Sequence, residues 1–325
     1  LKRTVTVVAH PDDEQAEAHA KIAAVRRVLA GPLPPAPEST RERPEPRFES
    51  NMTRERFEAN VARIIEYIVA GDAYQVVPSQ RWSAPVAVSA FSIYRGLRAV
   101  NPSPYMYFLD FGDFQIAGAS PEPLITVSGR HVCTRPIAGT RSRGKSAEED
   151  ARIAAELLAD PKERAEHVML VDLGRNDLGR VCEYGTVTVE DFMAVEHYSH
   201  VMHIVSDVSG RLRDGVSALR ALRSVLPVGT LSGAPKFRAM QIIDEVEPHK
   251  RGSYGGAIGY LGFTGDLDTA IHIRTVVVKD GIAHVQAGGG TVAEAIPANE
   301  YEESVAKSSA VLAAIRTACS QPDWE

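Results

Sequence analysis

The clearest hydrophobic pattern in the chain is a helical stripe that begins after Thr53. Apolar residues recur there three and four positions apart, on one face of a helix: Phe57, Val61, Ile64, Ile65 and Ile68. Thr53 is a residue type that caps helix N-termini, and Gly71 is suited to end the helix. The pattern therefore predicts an amphipathic helix between these two residues.

Beyond this helix, the chain alternates between short runs in which hydrophobic residues recur every second position and longer stretches with a helical pattern. Strands are predicted at residues 74–82, 105–111, 115–117, 124–127, 132–134, 186–189, 200–208, 255–263, 269–279 and 282–286. Helices are predicted at residues 148–158, 161–173, 217–226, 236–245 and 300–318. The strands come in runs joined by tight polar turns such as Asp280-Gly281. The predicted fold class is therefore α+β, with large, mostly antiparallel sheets and helices outside.

The first fifty residues are organised differently. A strand is predicted at residues 1–9 and a helix at residues 12–29. The following GPLPPAPESTRERPEP is rich in proline and charge and cannot pack into a core, so residues 32–50 are interpreted as a linker. A lone strand and helix before a linker suggest that residues 1–31 are the tail of an N-terminal region whose upstream part is missing.

Composition narrows the classes of function. The 325 residues are 44% hydrophobic and carry a formal net charge of −6, which argues against nucleic-acid binding. No apolar run approaches the roughly 20 residues that span a bilayer, so no membrane segment is expected. The three cysteines are odd in number and lack metal-ligand spacing, which favours a reducing, cytoplasmic location.

Two predicted helices carry acidic residues on one face. Glu163 and Glu166 are three residues apart in one of them, and Glu300, Glu303 and Lys307 follow at spacings of three and four in the other. Each group alone also has an ordinary explanation. Glutamates complement the dipole of a first helical turn, and Glu303–Lys307 has the spacing of a surface ion pair.

A glycine-rich loop changes the interpretation of the second acidic helix. A strand pattern runs into Gly288-Gly289-Gly290, whose backbone N–H groups can bind an anion, although such a triplet is also a common turn. An anion site directly before an acidic helix is electrostatically contradictory unless a cation lies between them. Because the side-chain ligands are all oxygens, the sequence predicts Mg²⁺ rather than Zn²⁺.

Five sequence blocks together resemble a known family. They are PIAGTR at 136–141, DLGRND at 172–177, LPVGTLSGAPK at 226–236, GDLDTAIHIR at 265–274 and QAGGG at 286–290. Over residues 48–318 the chain is similar to the chorismate-utilising enzymes, and in particular to the anthranilate synthase component I family. The resemblance implies that residues 51–325 form a chorismate-binding catalytic domain whose sheets pack as a sandwich with helices outside.

The resemblance implies a role for each of the four glutamates. Glu166 and Glu303 would ligate Mg²⁺ directly, and Glu163 and Glu300 would hold its water ligands. The ion would bind the ring carboxylate of chorismate. This agrees with the electrostatic argument from the glycine loop.

The resemblance also implies a substrate site. Arg274 and the N–H groups of Gly288, Gly289 and Gly290 would bind the enolpyruvyl carboxylate, because a guanidinium matches a carboxylate well. Tyr254 and Thr230 would line the same site.

Four residues are the predicted catalytic group: Glu122, His203, Gln75 and Lys307. By resemblance, Glu122 would protonate the departing 4-hydroxyl, which requires a raised pKa at neutral pH. His203 lies in VMHIVSDVS, a strand-like segment in which a neutral core histidine is the default. The resemblance implies instead that it acts in the elimination of pyruvate.

Two positions distinguish among the relatives. Isochorismate and salicylate synthases carry a lysine base where this chain has Gln75; a neutral amide cannot activate water, whereas ammonia is already nucleophilic. Aminodeoxychorismate synthases carry a nucleophilic lysine where this chain has Ala138. The resemblance thus implies a lyase that converts chorismate and ammonia to anthranilate and pyruvate in tryptophan biosynthesis.

Three alternatives stay open at this point. The chain could be an enzyme that stops at the aminated intermediate, an isochorismate or aminodeoxychorismate synthase relative, or a non-catalytic chorismate-binding scaffold for an amidotransferase. The sequence has no thiol triad for glutamine hydrolysis, so the resemblance implies a separate glutamine amidotransferase subunit that supplies ammonia. It also implies tryptophan as a feedback inhibitor, bound in part by Pro104, Tyr105 and Met106.

Overall fold

The protein is described by a computed structural model that covers residues 5–9, 15–32, 43–198, 201–321 and 324. The chain divides into two compact units, residues 1–40 and 41–325. The first unit contains helix α1 (Gln15–Ala30), which overlaps the helix predicted at residues 12–29. Residues 5–9, the described part of the strand predicted at residues 1–9, are not a strand. The rest of that prediction, and residues 33–42 of the predicted linker, lie outside the described residues.

The second unit contains both of the large sheets. Its helices are α2 (Arg54–Val69), α3 (Ala90–Val100), α4 (Ala147–Ala159), α5 (Pro161–Gly179), α6 (Ala218–Val225), α7 (Gly229–Ser232), α8 (Lys236–Val246) and α9 (Pro297–Ser320). Its strands are β1 (Glu49–Ser50), β2 (Gln75–Val76), β3 (Ser79–Pro85), β4 (Tyr105–Asp110), β5 (Phe114–Ser120), β6 (Pro123–Ser128), β7 (His131–Thr134), β8 (Ile137–Ser142), β9 (Thr188–His197), β10 (Val201–Arg211), β11 (Gly233–Ala234), β12 (Ala257–Leu261), β13 (Leu267–Ile271), β14 (Thr275–Lys279) and β15 (Ile282–Gly288).

Two antiparallel sheets and a short ribbon organise these strands. The first sheet has the order β1-β3-β15-β14-β5-β4, and the second has the order β12-β13-β6-β7-β10-β8, with β9 also paired to β10. The ribbon pairs β2 with β11. All of the described strand pairs are antiparallel, and the predicted α+β class with antiparallel sheets is confirmed. Residues 49–50, from the predicted linker, pair with β3 and so belong to the first sheet.

Each sheet has its own hydrophobic core and its own helices. The first sheet packs against α3 and α9 through buried residues that include Ile93, Leu97, Val276, Val285 and Ile315. The second sheet packs against α5 and α6 through buried residues that include Ile125, Val171, Leu178, Val208 and Ala221. Burial of these apolar surfaces is what holds the helices on the sheets. Among the described residues, no helix is both long and apolar enough to cross a membrane.

The chain crosses between the two sheets at two neighbouring places. One crossing lies between β5 and β6 and contains Glu122; the other lies between β13 and β14 and contains Arg274. The crossings are hydrogen-bonded to each other, because Ile271 N–H donates to Glu122 O at 3.0 Å and Ala119 N–H donates to Arg274 O at 3.1 Å. Two candidate site residues therefore lie where strands change sheets.

The second crossing corrects the sequence prediction. Residues 269–279 were predicted as one strand, but the structure breaks them into β13 of the second sheet and β14 of the first. The break ends at Arg274, whose φ of 50° is in the left-handed region that non-glycine residues rarely adopt. Continuous alternation of side chains does not reveal that a chain leaves one sheet for another, which is why the pattern missed it.

Candidate functional site

The four predicted metal-binding glutamates lie in the first two turns of α5 and α9. The Asp160 side chain caps α5 by accepting from the N–H groups of Lys162 and Glu163, which sets the start of the helix and the face that carries Glu166. In α9, Glu300 lies in the first turn and Glu303 one turn further. The sequence pattern is thus realised on two separate helices.

The glycine loop after β15 packs directly against the acidic face of α9. A Cβ atom on Gly289 would lie 3.0 Å from Glu300 Oε2 and 3.1 Å from Glu303 Oε1. Such contacts are tighter than ordinary packing, so a residue without a side chain is favoured here. The predicted anion loop and the predicted metal ligands therefore meet.

The carboxylates of both helices lie close enough to affect one another's ionisation. Burial raises the pKa of Glu166, and the charges of Glu163 and Glu303 raise it further. Burial and the charge of Glu303 raise the pKa of Glu300 to about 7. Each of these carboxyl groups therefore resists ionisation until a positive charge approaches.

Two side-chain cations already pair with members of the cluster. Lys307 Nζ lies 2.5 Å from Glu303 Oε1, one helical turn away, and Arg141 Nη1 lies 2.9 Å from Glu163 Oε1. Arg141 closes the PIAGTR block, but its ion pair with Glu163 was not predicted. Because β8 was not recognised as a strand, nothing in the sequence indicated that Arg141 faces α5.

The donor set fits a hard divalent cation. Glu300 is only 7% exposed, and its Oε2 has no hydrogen-bond partner among the described residues. Buried polar atoms without partners are rare, and one that faces further carboxylates is suited to a cation or to that cation's water ligand. No three His, Cys, Asp or Glu side chains of the described chain converge as direct ligands. The prediction does not require three converging ligands, because only Glu166 and Glu303 are expected to bind the ion directly.

Gln75 lies between the glycine loop and α5. It is 3% exposed, in the β2–β11 ribbon, and its Nε2 donates to Glu166 Oε1 at 3.3 Å. A Cβ atom on Gly290 would lie 2.5 Å from this Nε2. Gln75, the residue expected to distinguish this chain from water-adding relatives, is therefore in contact with a predicted metal ligand.

Glu122 faces the same region from the first sheet crossing. Thr230 Oγ1 donates to Glu122 Oε1 at 3.1 Å. Burial raises the pKa of Glu122 to about 7, although Thr230, Lys307 and Arg274 each lower it. The raised pKa that an acid needs at neutral pH is thus present.

Arg274 and Tyr254 lie near each other and near Glu122. Arg274 Nη1 donates to Lys307 O at 2.7 Å, and burial lowers the pKa of Arg274. Lys307 Nζ also donates to Gly288 O at 3.1 Å, which joins α9 to the glycine loop. Burial raises the pKa of Tyr254 to about 12, so its phenol is neutral and able to donate a hydrogen bond.

His203 lies on β10, as the alternation of its segment predicted. Its Nδ1 is 3.1 Å from Gly139 O and 3.0 Å from Thr140 Oγ1. A carbonyl oxygen can only accept, so Nδ1 carries the proton and Nε2 is left unprotonated. Burial lowers the pKa of His203, which favours this neutral form. The tautomer is that of a base.

The structure brings most of the predicted residues together but separates the inhibitor-binding group. Pro104 is exposed before β4, the edge strand of the first sheet. Tyr105 interacts with Asp268 of β13, whereas Met106 packs into the core of the first sheet on the other face of β4. Their role in binding tryptophan stays a prediction.

A buried ion pair between Arg251 and Glu247 was not predicted either. Arg251 donates to the backbone carbonyl oxygens of Leu231 and Val77, so it contacts α7 and the residue that follows β2. Glu247 and Arg251 are four residues apart, but nothing in the local sequence indicates that Arg251 also contacts Val77, which is 174 residues away along the chain.

Comparison with known proteins identifies the family. A family model described as "chorismate binding enzyme" matches residues 1–313. "Anthranilate synthase component 1" of Pseudomonas putida is 52% identical over 322 residues, which are 98% of this chain and 65% of that protein. The protein of the same name from Thermus thermophilus is 54% identical over 318 residues, 98% of this chain and 68% of that protein.

A solved structure shows the same fold. The crystal structure of anthranilate synthase component I from Streptococcus pneumoniae matches with a TM-score of 0.83 and 46% identity, covering 93% of this chain and 67% of that one. The chain thus spans about two thirds of the length of these relatives. It belongs to the family of chorismate-binding enzymes that includes the anthranilate synthase component 1 proteins.

Proposed function

We propose that the protein is the chorismate-converting subunit of an anthranilate synthase, a magnesium-dependent lyase. The observation that carries this proposal is the arrangement of Glu122, Gln75 and Arg274. Glu122 supplies a carboxyl group with a pKa of about 7, Gln75 supplies a neutral amide in place of a lysine base, and Arg274 supplies a guanidinium. All three face one cluster of carboxylates. The overall reaction is chorismate plus ammonia to anthranilate, pyruvate and water.

The site offers one set of partners for each carboxylate of chorismate. Arg274 and the N–H groups of the glycine loop would bind the enolpyruvyl carboxylate. When bound, Mg²⁺ would be held by Glu166 and Glu303, with Glu163 and Glu300 through water, and would neutralise the ring carboxylate. The substrate is thereby oriented with its 4-hydroxyl towards Glu122.

The first half-reaction forms a carbon–nitrogen bond. Ammonia attacks ring carbon 2, both conjugated double bonds of the ring shift by one position, and the bond between carbon 4 and its hydroxyl breaks. Glu122 gives its proton to that hydroxyl, which leaves as water; this is general acid catalysis. Gln75 cannot remove a proton from water, so the competing addition of water is not assisted.

The second half-reaction removes pyruvate. The unprotonated Nε2 of His203 accepts the proton from carbon 2, and the bond between carbon 3 and the enolpyruvyl oxygen breaks. The departing enol takes up a proton to become pyruvate, and the ring becomes aromatic. The hydrogen bond from His203 Nδ1 to Gly139 O holds the ring in the tautomer that this step needs.

The proposal includes a separate glutamine amidotransferase subunit that delivers ammonia, which is supported by the "component 1" in the names of the relatives. Tryptophan remains the proposed feedback inhibitor, and a cytoplasmic location stays a prediction from cysteine usage.

The proposed function is tested by mixing the protein with chorismate, Mg²⁺ and ammonium salt and following anthranilate fluorescence. We expect anthranilate with ammonium and none with glutamine alone. Chromatography of the products separates the alternatives: isochorismate, aminodeoxychorismate or an accumulated aminated intermediate would contradict the proposal, and binding of chorismate without conversion would indicate a scaffold.

Replacing His203 with glutamine separates the two half-reactions. We expect His203→Gln to lower anthranilate formation about 100-fold, because the base of the second step is lost. Consumption of chorismate continues and the aminated intermediate accumulates, which is measured by chromatography. His197→Gln, at an exposed position on neighbouring β9, serves as control and leaves both rates unchanged. A parallel fall of both rates in His203→Gln would refute this division of roles.

A further inference from the structure

The Arg251–Glu247 pair connects segments that are far apart in sequence. Arg251 Nη1 donates to Leu231 O at 2.5 Å, and Nη2 donates to Val77 O at 2.6 Å. Arg251 also binds Glu247 through Nε at 2.9 Å and through Nη2 at 2.5 Å. The two side chains are only 17% and 5% exposed. Such a buried, fully bonded guanidinium is costly to desolvate and therefore invites an explanation.

Each segment that Arg251 contacts carries a residue of the candidate site. Leu231 follows Thr230, whose hydroxyl donates to Glu122. Val77 O belongs to the segment that begins with Gln75 in the β2–β11 ribbon. The guanidinium carbon of Arg251 also lies 5.5 Å from the centre of the Tyr254 ring, within the range of a cation–π contact.

Glu247 extends the connection to the glycine loop. Its Oε1 accepts from both the N–H and the hydroxyl of Ser79, each at 2.8 Å. Gln286 Nε2 donates to the same hydroxyl at 2.8 Å. Ser79 is paired with Gly288 in the β3–β15 ladder, so one buried carboxylate fixes the strand ends at the base of the loop.

We propose that the Arg251–Glu247 pair is the positioning element of the reaction site. It sets the relative placement of Gln75, Thr230 and Tyr254, and through Thr230 that of the proton donor Glu122. This inference rests on the proposed function and deepens it, because neither residue touches the reacting atoms. A buried ion pair is well suited to specifying one arrangement rather than to adding stability.

Only arginine can make this set of contacts. Its planar fork presents five N–H donors, enough for two carbonyls and a carboxylate at once, whereas the single ammonium of lysine cannot span them. In Arg251→Lys, Leu231 O or Val77 O loses its buried partner. That segment then shifts, and small displacements of catalytic groups lower rates strongly.

A shift of Thr230 has a specific signature at Glu122. The groups that face Glu122 are Thr230 on α7, Lys307 on α9, Arg274 at the sheet crossing and Tyr254. The hydrogen bond from Thr230 lowers the pKa of Glu122, so its loss raises that pKa. The alkaline limb of kcat, which reports deprotonation of the acid, then moves to higher pH.

The test compares Arg251→Lys with Arg130→Lys in the chorismate and ammonium assay. Arg130 is a matched control, because it binds Leu212 O through Nε at 3.0 Å and Glu183 Oε1 through Nη2 at 2.5 Å, and none of its described contacts is with a predicted site residue. We expect Arg251→Lys to lower kcat at least about tenfold, with KM for chorismate changed less than about threefold, and to move the alkaline limb upwards. Arg130→Lys is expected to leave kcat and the alkaline limb of its pH profile unchanged. Both variants are expected to lower the melting temperature.

Equal kcat and an equal alkaline limb in the two variants would show that Arg251 is only structural. If circular dichroism shows that Arg251→Lys does not fold, Glu247→Gln takes its place: a smaller fall of kcat with an upward limb is expected, and unchanged values overturn the proposal. Wild type is assayed alongside. An inactive wild type contradicts the proposed function itself, whereas an active wild type with unaffected variants contradicts the positioning role alone.

Discussion

Replacing Glu122 with glutamine is expected to lower kcat for anthranilate formation by about 10²–10⁴-fold, because the departing 4-hydroxyl loses its proton donor. The amide has nearly the same shape and can still accept the hydrogen bond from Thr230, so binding of chorismate is retained. Steady-state kinetics at saturating ammonium measure the effect. A matched control is Glu294→Gln, at an exposed position, which keeps full activity.

The pH profile gives an independent check on the same residue. Glu122 acts as an acid only while protonated, and burial raises its pKa to about 7. The rate per molecule of free ammonia should therefore fall as the pH rises through about 7, and this limb should be absent from Glu122→Gln. A Glu122→Gln variant with near-native turnover, or a wild-type profile that is flat across neutral pH, would remove Glu122 from the mechanism.

Removing divalent cations is expected to reduce turnover by about 10³-fold. Without a cation, the ring carboxylate of chorismate meets the carboxylates of α5 and α9, and a single repulsion at about 4 Å costs on the order of 4 kcal/mol at the dielectric of a protein surface. The measurement is anthranilate formation after treatment with EDTA and after return of excess Mg²⁺. EDTA already saturated with Mg²⁺ is the control. Undiminished conversion after EDTA treatment would refute the proposed magnesium dependence.

Adjacent residues of α9 offer a test that does not depend on activity. Glu303 belongs to the carboxylate cluster, whereas Glu302 points in a different direction from the helix and pairs with Arg54 at 2.8 Å. Calorimetric titration with Mg²⁺ is expected to show at least about tenfold weaker binding for Glu303→Gln and unchanged binding for Glu302→Gln. Equal affinities would contradict the predicted ligand set.

Local signals in the sequence predicted those elements whose ends are set locally. Thr53 caps α2 as expected, because its hydroxyl accepts from the N–H of Arg56 in the first turn of the helix. The start of α5 was predicted from Asp160-Pro161, and the structure places the helix there. Helix α3 was missed, although Ser89 caps it in the same way, because short strand-like segments surround it.

The residues of the candidate site were predicted from a different kind of sequence signal. Glu166 and Glu303 lie on different helices, and only the resemblance of whole sequence blocks predicted that they meet, which the mutual effect on their carboxyl groups supports. Arg141 was missed because its ion pair with Glu163 is tertiary. Glu247 and Arg251 have a local spacing of four residues, but their contacts with Ser79 and Val77 are tertiary and leave no periodic trace. A pattern records which face of an element is buried, and not which distant side chain it meets there.

The pairing of the two sheet crossings makes the positions of Glu122 and Arg274 interdependent. Glu122 and Arg274 sit on backbone segments that are tied to each other and continue into both layers. A displacement of one sheet relative to the other would therefore move both side chains, so the geometry of the candidate site depends on how the two sheets pack.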